Sequence, residues 1–234
     1  AGVKASDIRY SIFEIPDSLK KNANSIVRVS ETRFEVDENF KSTYTVHYVI
    51  TLLNSKALDD AELSVYYDNE STVNYLKFKI YNSFGEDITR TFKSLEVSDQ
   101  SATPGGTLYS DNRCKVVSPI FAQYPVTVEY SYQVKDEVIF TYPSWIPVTS
   151  TNMALQQASY TLVTPKSRTP RMKGVNRIPE VSISSEKETN QYKWEISNFA
   201  AIDTEPFSPP YYELIPFLLL APDYVNYNTY SNPS

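Results

Sequence analysis

The sequence predicts an all-β protein, a large antiparallel β-sandwich with at most one or two short helices. Three observations carry that prediction. Nineteen tyrosines and fifteen prolines stand against five glycines, and tyrosine suits a pleated surface while proline punctuates turns. Several stretches alternate apolar and polar residues with the period of two that a half-buried strand requires. These stretches recur roughly every 10 to 20 residues with no helical periodicity between them, as in antiparallel sheets packed face to face. The 234 residues, 41% hydrophobic and 21% charged, suffice to bury a sizeable core.

Taken in order, IPDSLKKNANSIVR reads as a short helix followed by a strand. Asp17 or Ser18 can cap it after Pro16, and Asn22 to Asn24 can stop it. Phe40 to Leu53 is the clearest strand. Phe40, Tyr44, Val46, Tyr48, Ile50 and Leu52 share one face, while Lys41, Thr43, Thr45, His47 and Thr51 share the other. Asn74 to Asn82 and Ile88 to Val97 read as a hairpin around NSFGED, where Gly85 suits a positive φ. Further strands are expected near 107–117, 126–135, 154–164, 180–185 and 190–197. In 126–135, Val126, Val128, Tyr130, Tyr132 and Val134 alternate strictly with other residues.

The most informative run is YKWEISNFAAIDTEPFSPPYYELIP, Tyr192 to Pro216. Tyr192, Trp194 and Ile196 point one way and Lys193, Glu195 and Ser197 the other. Pro206, Pro209, Pro210 and Pro216 then predict an extended connector from Glu205 to Pro216. LIPFLLLAP, 214–222, reads as a buried final strand. Loops 98–107 and 143–152 are the candidate subdomain boundaries, the second at Pro143 and Pro147. We read one accessory domain over 1–222 and a tail or linker to a downstream domain over 223–234.

The chemistry is sparse. A net charge of −6 and a pI near 5.0 argue against nucleic acid or an anionic membrane as the main partner. No apolar stretch reaches the roughly 18 residues of a membrane span. Cys114 and His47, the one cysteine and one histidine, supply the only conceivable thiol triad. Cys114 sits in a strand-like stretch and His47 mid-strand on a polar face, so neither is expected to be catalytic. Two such residues build no zinc site without carboxylates, and Asp59, Asp60 and Glu62, like Glu86 and Asp87, read as turn charges. No cofactor is expected. Paired carboxylates occur by chance among 28 acidic residues and carry no specificity for hydrolysis. Trp145 and Tyr142 in a proline-rich loop, with Tyr211 and Tyr212, are the aromatic residues expected to be exposed, and so the candidates for stacking on a glycan or peptide.

Four blocks resemble a known family. IPDSLKKNANSIVR resembles its opening and HYVITLLNSK a strand and turn within it. LYSDNRCKVVSP and YPVTVEYSYQV resemble its central blocks. YKWEISNFAAIDTEP resembles its closing W-x-x-x-N-x-x-A-I-x-x-E-P signature, here Trp194, Asn198, Ala201, Ile202, Glu205 and Pro206. The family is domain of unknown function 3857, found ahead of transglutaminase-like domains in Gram-negative cell-envelope proteins. The resemblance implies a β-rich, non-catalytic module in the periplasm or at the outer membrane, with the signature residues structural. It places Cys-His-Asp machinery in a downstream domain, so Cys114 inherits no catalytic role.

Overall fold

A computed structural model describes residues 8–102, 111–203 and 207–223. Twelve strands follow one another: β1 (Ser25–Val36), β2 (Ser42–Leu52), β3 (Leu63–Tyr67), β4 (Ser71–Tyr81), β5 (Ser98–Ser101), β6 (Arg113–Val117), β7 (Val126–Asp136), β8 (Met153–Pro165), β9 (Arg171–Val175), β10 (Ser182–Ser185), β11 (Thr189–Phe199) and β12 (Phe217–Ala221). Two single-turn helices, α1 (Asp17–Lys20) and α2 (Tyr211–Leu214), and short 3-10 turns complete the described chain. The all-β expectation therefore holds.

The strands form a seven-stranded sheet, ordered β10-β11-β8-β1-β2-β7-β4, and two small sheets, β3-β6-β5 and β12-β9. Its inner face carries Val27 and Phe34 from β1, Ile50 from β2, Val128 and Tyr130 from β7, Tyr160 from β8 and Trp194 from β11. These share one buried core with Val117 of β6 and Leu218 of β12, which places both small sheets over that face. The alternation predicted for β2, β7 and β11 is thus the alternation of a covered and an uncovered face. The other face has a smaller core, where Ile15 and Leu19 of the α1 segment pack on Ile26 and Ala154.

One departure from the expected topology is central. β1 pairs antiparallel with β2 but parallel with β8, from Ser25↔Met153 to Glu35↔Val163. A parallel pair cannot be closed by a tight turn, and the crossover here includes the whole β2 to β7 segment. A register shift between Val27 and Val29 lets Arg28 turn into the outer face. There its guanidinium donates to Tyr10 O at 2.9 Å and Gln156 Oε1 at 2.8 Å.

Three local expectations change. Ile88 to Val97 is not a strand; only Tyr81↔Asp87 bridges. Asp87 accepts from both the backbone and hydroxyl of Thr89, whose Oγ1 accepts from Ile80 N at 2.9 Å, so the chain turns away from β4. Gly85 does take φ +87°. Glu205 and Pro206 lie outside the described residues, but the connector after them is not wholly extended. Pro210 precedes α2, where its fixed φ of −53° suits a helix start. α1 begins after Pro16 with no side-chain cap, and Asn22 ends that segment at φ +59°. β4 and β10 are the edges of the large sheet.

The loop expected to expose Trp145 and Tyr142 instead buries both, at 4% and 5% accessibility. Trp145 exchanges two backbone hydrogen bonds with Leu218, at 3.0 and 2.9 Å. Its ring lies 6.0 Å from Tyr160, which lies 6.3 Å from Trp194. Trp145, Tyr142 and Val148 join the core shared by the strands on both sides, while Ser144, Ile146 and Thr149 beside them stay exposed. Among the described residues the indole Nε1 of Trp145 is buried without a hydrogen-bond partner. Trp145→Ala should therefore cost about 3–5 kcal/mol. Trp145→Phe should cost clearly less, since it sacrifices no hydrogen bond. Chemical denaturation of both variants checks the order.

Candidate functional site

A groove of about 590 Å³ opens where the inner face of the large sheet runs beyond its cover. Phe34, Tyr44 and Tyr132 form its floor, Val65 and Tyr66 of β3 one wall, and loop 138–141 the other. The rings are in register because β1, β2 and β7 are neighbours, with Phe34↔Tyr44 and Tyr44↔Val134 paired. Tyr44 sits 6.1 Å from Phe34 and 6.3 Å from Tyr132. Tyr66 is 66% exposed. A second cavity of about 450 Å³ adjoins through Tyr66 and Asp136.

Asp136 ends β7 where the two cavities meet. Ser42 Oγ donates to its Oδ2 at 2.7 Å. Burial pushes its carboxyl up, against that hydrogen bond, and nearby Asp68 adds to the rise. Asp136 and Asp68 are the charged side chains lining the two cavities among the described residues. Asp136 makes no ion pair there, unlike Asp99, held by Arg113 at 2.8 Å and Lys115 at 2.7 Å. The arrangement offers aromatic faces for stacking and a carboxylate that accepts.

A second polar cluster lies on the outer face. His47 Nε2 donates to Glu129 Oε1 at 2.8 Å, and its Nδ1 faces Glu31 at 3.5 Å. Tyr81 donates to the other Glu129 oxygen at 2.5 Å, and Tyr10 approaches Oε1 at 3.4 Å. Two carboxylates around one imidazole favour the imidazolium, and the Glu129 hydrogen bond is the main cause of its raised pKa. His47 in turn, ahead of Tyr81, holds the Glu129 carboxyl down at about 2 despite burial. Cys114 is buried in β6, within the cover of the opposite face. The sequence's one thiol and one imidazole are thus on different sheets. Among the described residues no group of three or more His, Cys, Asp or Glu could hold a metal ion, and no helix is long and apolar enough to cross a membrane.

The structure does not gather the four aromatic residues chosen from sequence into one exposed site. Tyr142 and Trp145 are in the core, Tyr211 is half-buried and donates to Val148 O at 2.6 Å, and Tyr212 is exposed. The groove aromatics were legible only as inward strand positions. Four of the six signature residues lie among the described ones. Trp194 is buried in the main core, Asn198 takes φ +54°, Ala201 packs on the outer-face core, and Ile202 N donates to Thr151 O at 2.8 Å.

The chain belongs to the family described as a domain of unknown function with solved structure, DUF3857, whose pattern matches residues 38–203. It is similar in fold to a protein from Parabacteroides distasonis described as a "putative protease". That likeness has a TM-score of 0.69 at 13% identity over 85% of this chain. The chain spans about 40% of that protein's length. Weaker likenesses, each at a TM-score of 0.38, are to an M1 zinc metallopeptidase from Deinococcus radiodurans, at 8% identity over 84% of this chain and 42% of that one, and to Legionella pneumophila aminopeptidase A, at 9% over 92% and 22%. No curated protein matches.

The His47–Glu129 pair sets a pH window. A raised histidine pKa stabilises fully below the unfolded value near 6.5 and is lost as pH rises through the folded value; a depressed glutamate stabilises above about 4.5 and is lost as pH falls toward about 2. The pair should contribute most between about pH 4.5 and 6.5. Glu129→Gln should lower the imidazole pKa toward or below about 6.5, read directly by NMR titration of the single histidine.

Proposed function

We propose that this chain is a non-catalytic accessory domain that positions or regulates a downstream transglutaminase-like, cysteine-protease-like domain of the same polypeptide in the cell envelope, periplasmic or at the outer membrane. The observation that carries the reading is one of proportion. A chain of this fold fills about 40% of a longer protein described as a protease, leaving more than half of that protein for other structure. The anchoring of β12 also supports it. Trp145 and β9 hold this strand on the core, so a domain joined after it would depart from a fixed point.

A second reading, a binding module for a glycan or peptide, has the aromatic groove in its favour.

The test of the first reading begins with the coding sequence beyond Ser234. It should encode a domain with Cys, His and Asp in transglutaminase-like order, and its absence would sink the proposal. In the full protein, deleting residues 1–222 should lower kcat/KM on a peptide substrate by about tenfold or more, about 1.4 kcal/mol. Unchanged activity in a folded truncation would leave the domain no regulatory role.

A further inference from the structure

We propose that the groove between the large sheet and β3 takes a basic side chain, lysine or arginine, carried on an extended peptide. The inference rests on the binding-module reading for its site and adds the ligand's chemistry. Asp136 is half-buried between two adjoining cavities, accepts one hydrogen bond from Ser42, and lacks a cation among the described residues. A buried charge without a counter-charge is unfavourable, and a cation delivered by a partner relieves that cost. Asp68 reinforces the same sign across the second cavity, and the chain as a whole carries −6.

The walls suit the rest of such a side chain. The ring faces of aromatic residues attract an ammonium or guanidinium group, and Tyr44, Tyr132 and Tyr66 line the approach to the carboxylate. Phe34 and Val65 offer apolar surface for a methylene stem. The protein already makes this kind of contact, with Lys115 Nζ 5.3 Å from the Tyr67 ring centroid while bonded to Asp99. A small amine would fill only part of the space. The first cavity of about 590 Å³ and a second of about 450 Å³ share Tyr66 and Asp136 in their walls, which leaves room for backbone beside the anchored residue.

Calorimetric titration with the peptide acetyl-Ala-Ala-Lys-Ala-Ala-amide tests this, alongside its norleucine counterpart, n-butylamine and chitotriose. The lysine peptide should bind, and the norleucine peptide and n-butylamine should each bind at least tenfold more weakly. Asp136→Asn, which leaves an acceptor for Ser42, should weaken the lysine peptide at least tenfold. Tyr66→Ala, at an exposed position whose loss the fold tolerates, should weaken it several-fold and decides the matter if Asp136→Asn unfolds. Equal binding of the lysine and norleucine peptides, or binding unaffected by either substitution, overturns the inference. Equal binding of n-butylamine overturns the peptide as occupant. Chitotriose bound without the lysine peptide overturns the basic ligand and leaves a binding module; no binding by any probe overturns both.

Discussion

Three tyrosine hydroxyls tie irregular segments to the sheet, two of them from rings of the core and one, Tyr211, from a half-buried ring. Tyr130 of β7 donates to Ala61 O at 2.5 Å, Tyr160 of β8 to Pro143 O at 3.1 Å, and Tyr211 of α2 to Val148 O at 2.6 Å. A buried hydroxyl without a partner is costly, so the core rings of Tyr130 and Tyr160 each fix a particular carbonyl of a covering segment, and Tyr211 ties α2 to the 143–152 stretch. Leucine would supply the apolar surface without this directional constraint. The high tyrosine content therefore does more than raise strand propensity. It specifies where irregular segments sit on a regular sheet. Burial pushes the Tyr211 hydroxyl up to about 12, leaving it a neutral donor at physiological pH.

The faces of the strands were legible because alternation is a local property. Tyr192, Trp194 and Ile196 are inward and Lys193 and Glu195 form an exposed ion pair at 2.7 Å, as their spacing required. Pairing was not legible. β1 and β8 both read as strands, and nothing in either says that they lie side by side in parallel, because that choice is made by the crossover and by covering both faces. Trp145 was misplaced for a related reason. Proline and serine neighbours mark a loop, and loops usually lie at the surface, but here two backbone bonds to Leu218 draw the segment inward.

The groove illustrates the same limit from the other side. Tyr44 and Tyr132 occupy inward phases, and phase distinguishes one face from the other without saying whether anything covers it. Their shared position near one end of β2 and β7 becomes meaningful only when the structure places them in a groove beside β3. Asp136 is still harder to find in sequence, because its distinction is the lack of a counter-charge among the described residues around it. His47 is the opposite case. Its polar phase was evident, but the two carboxylates around it come from β1 and β7, so it is an electrostatic tie across three strands.

The two sheet edges bear on how the protein behaves among its own copies. β10 has four residues, all exposed, too short a rail for another chain to zip onto. β4 is longer, but it carries Lys77 and Lys79 and a register shift between Val73 and Tyr75, and the Ile80 amide and carbonyl are occupied by Thr89 and Ile88. Short, charged, bent or capped edges are what keep one sheet from recruiting the next. The two edges of the large sheet are therefore poor templates for another copy, leaving the side-chain surfaces to choose partners.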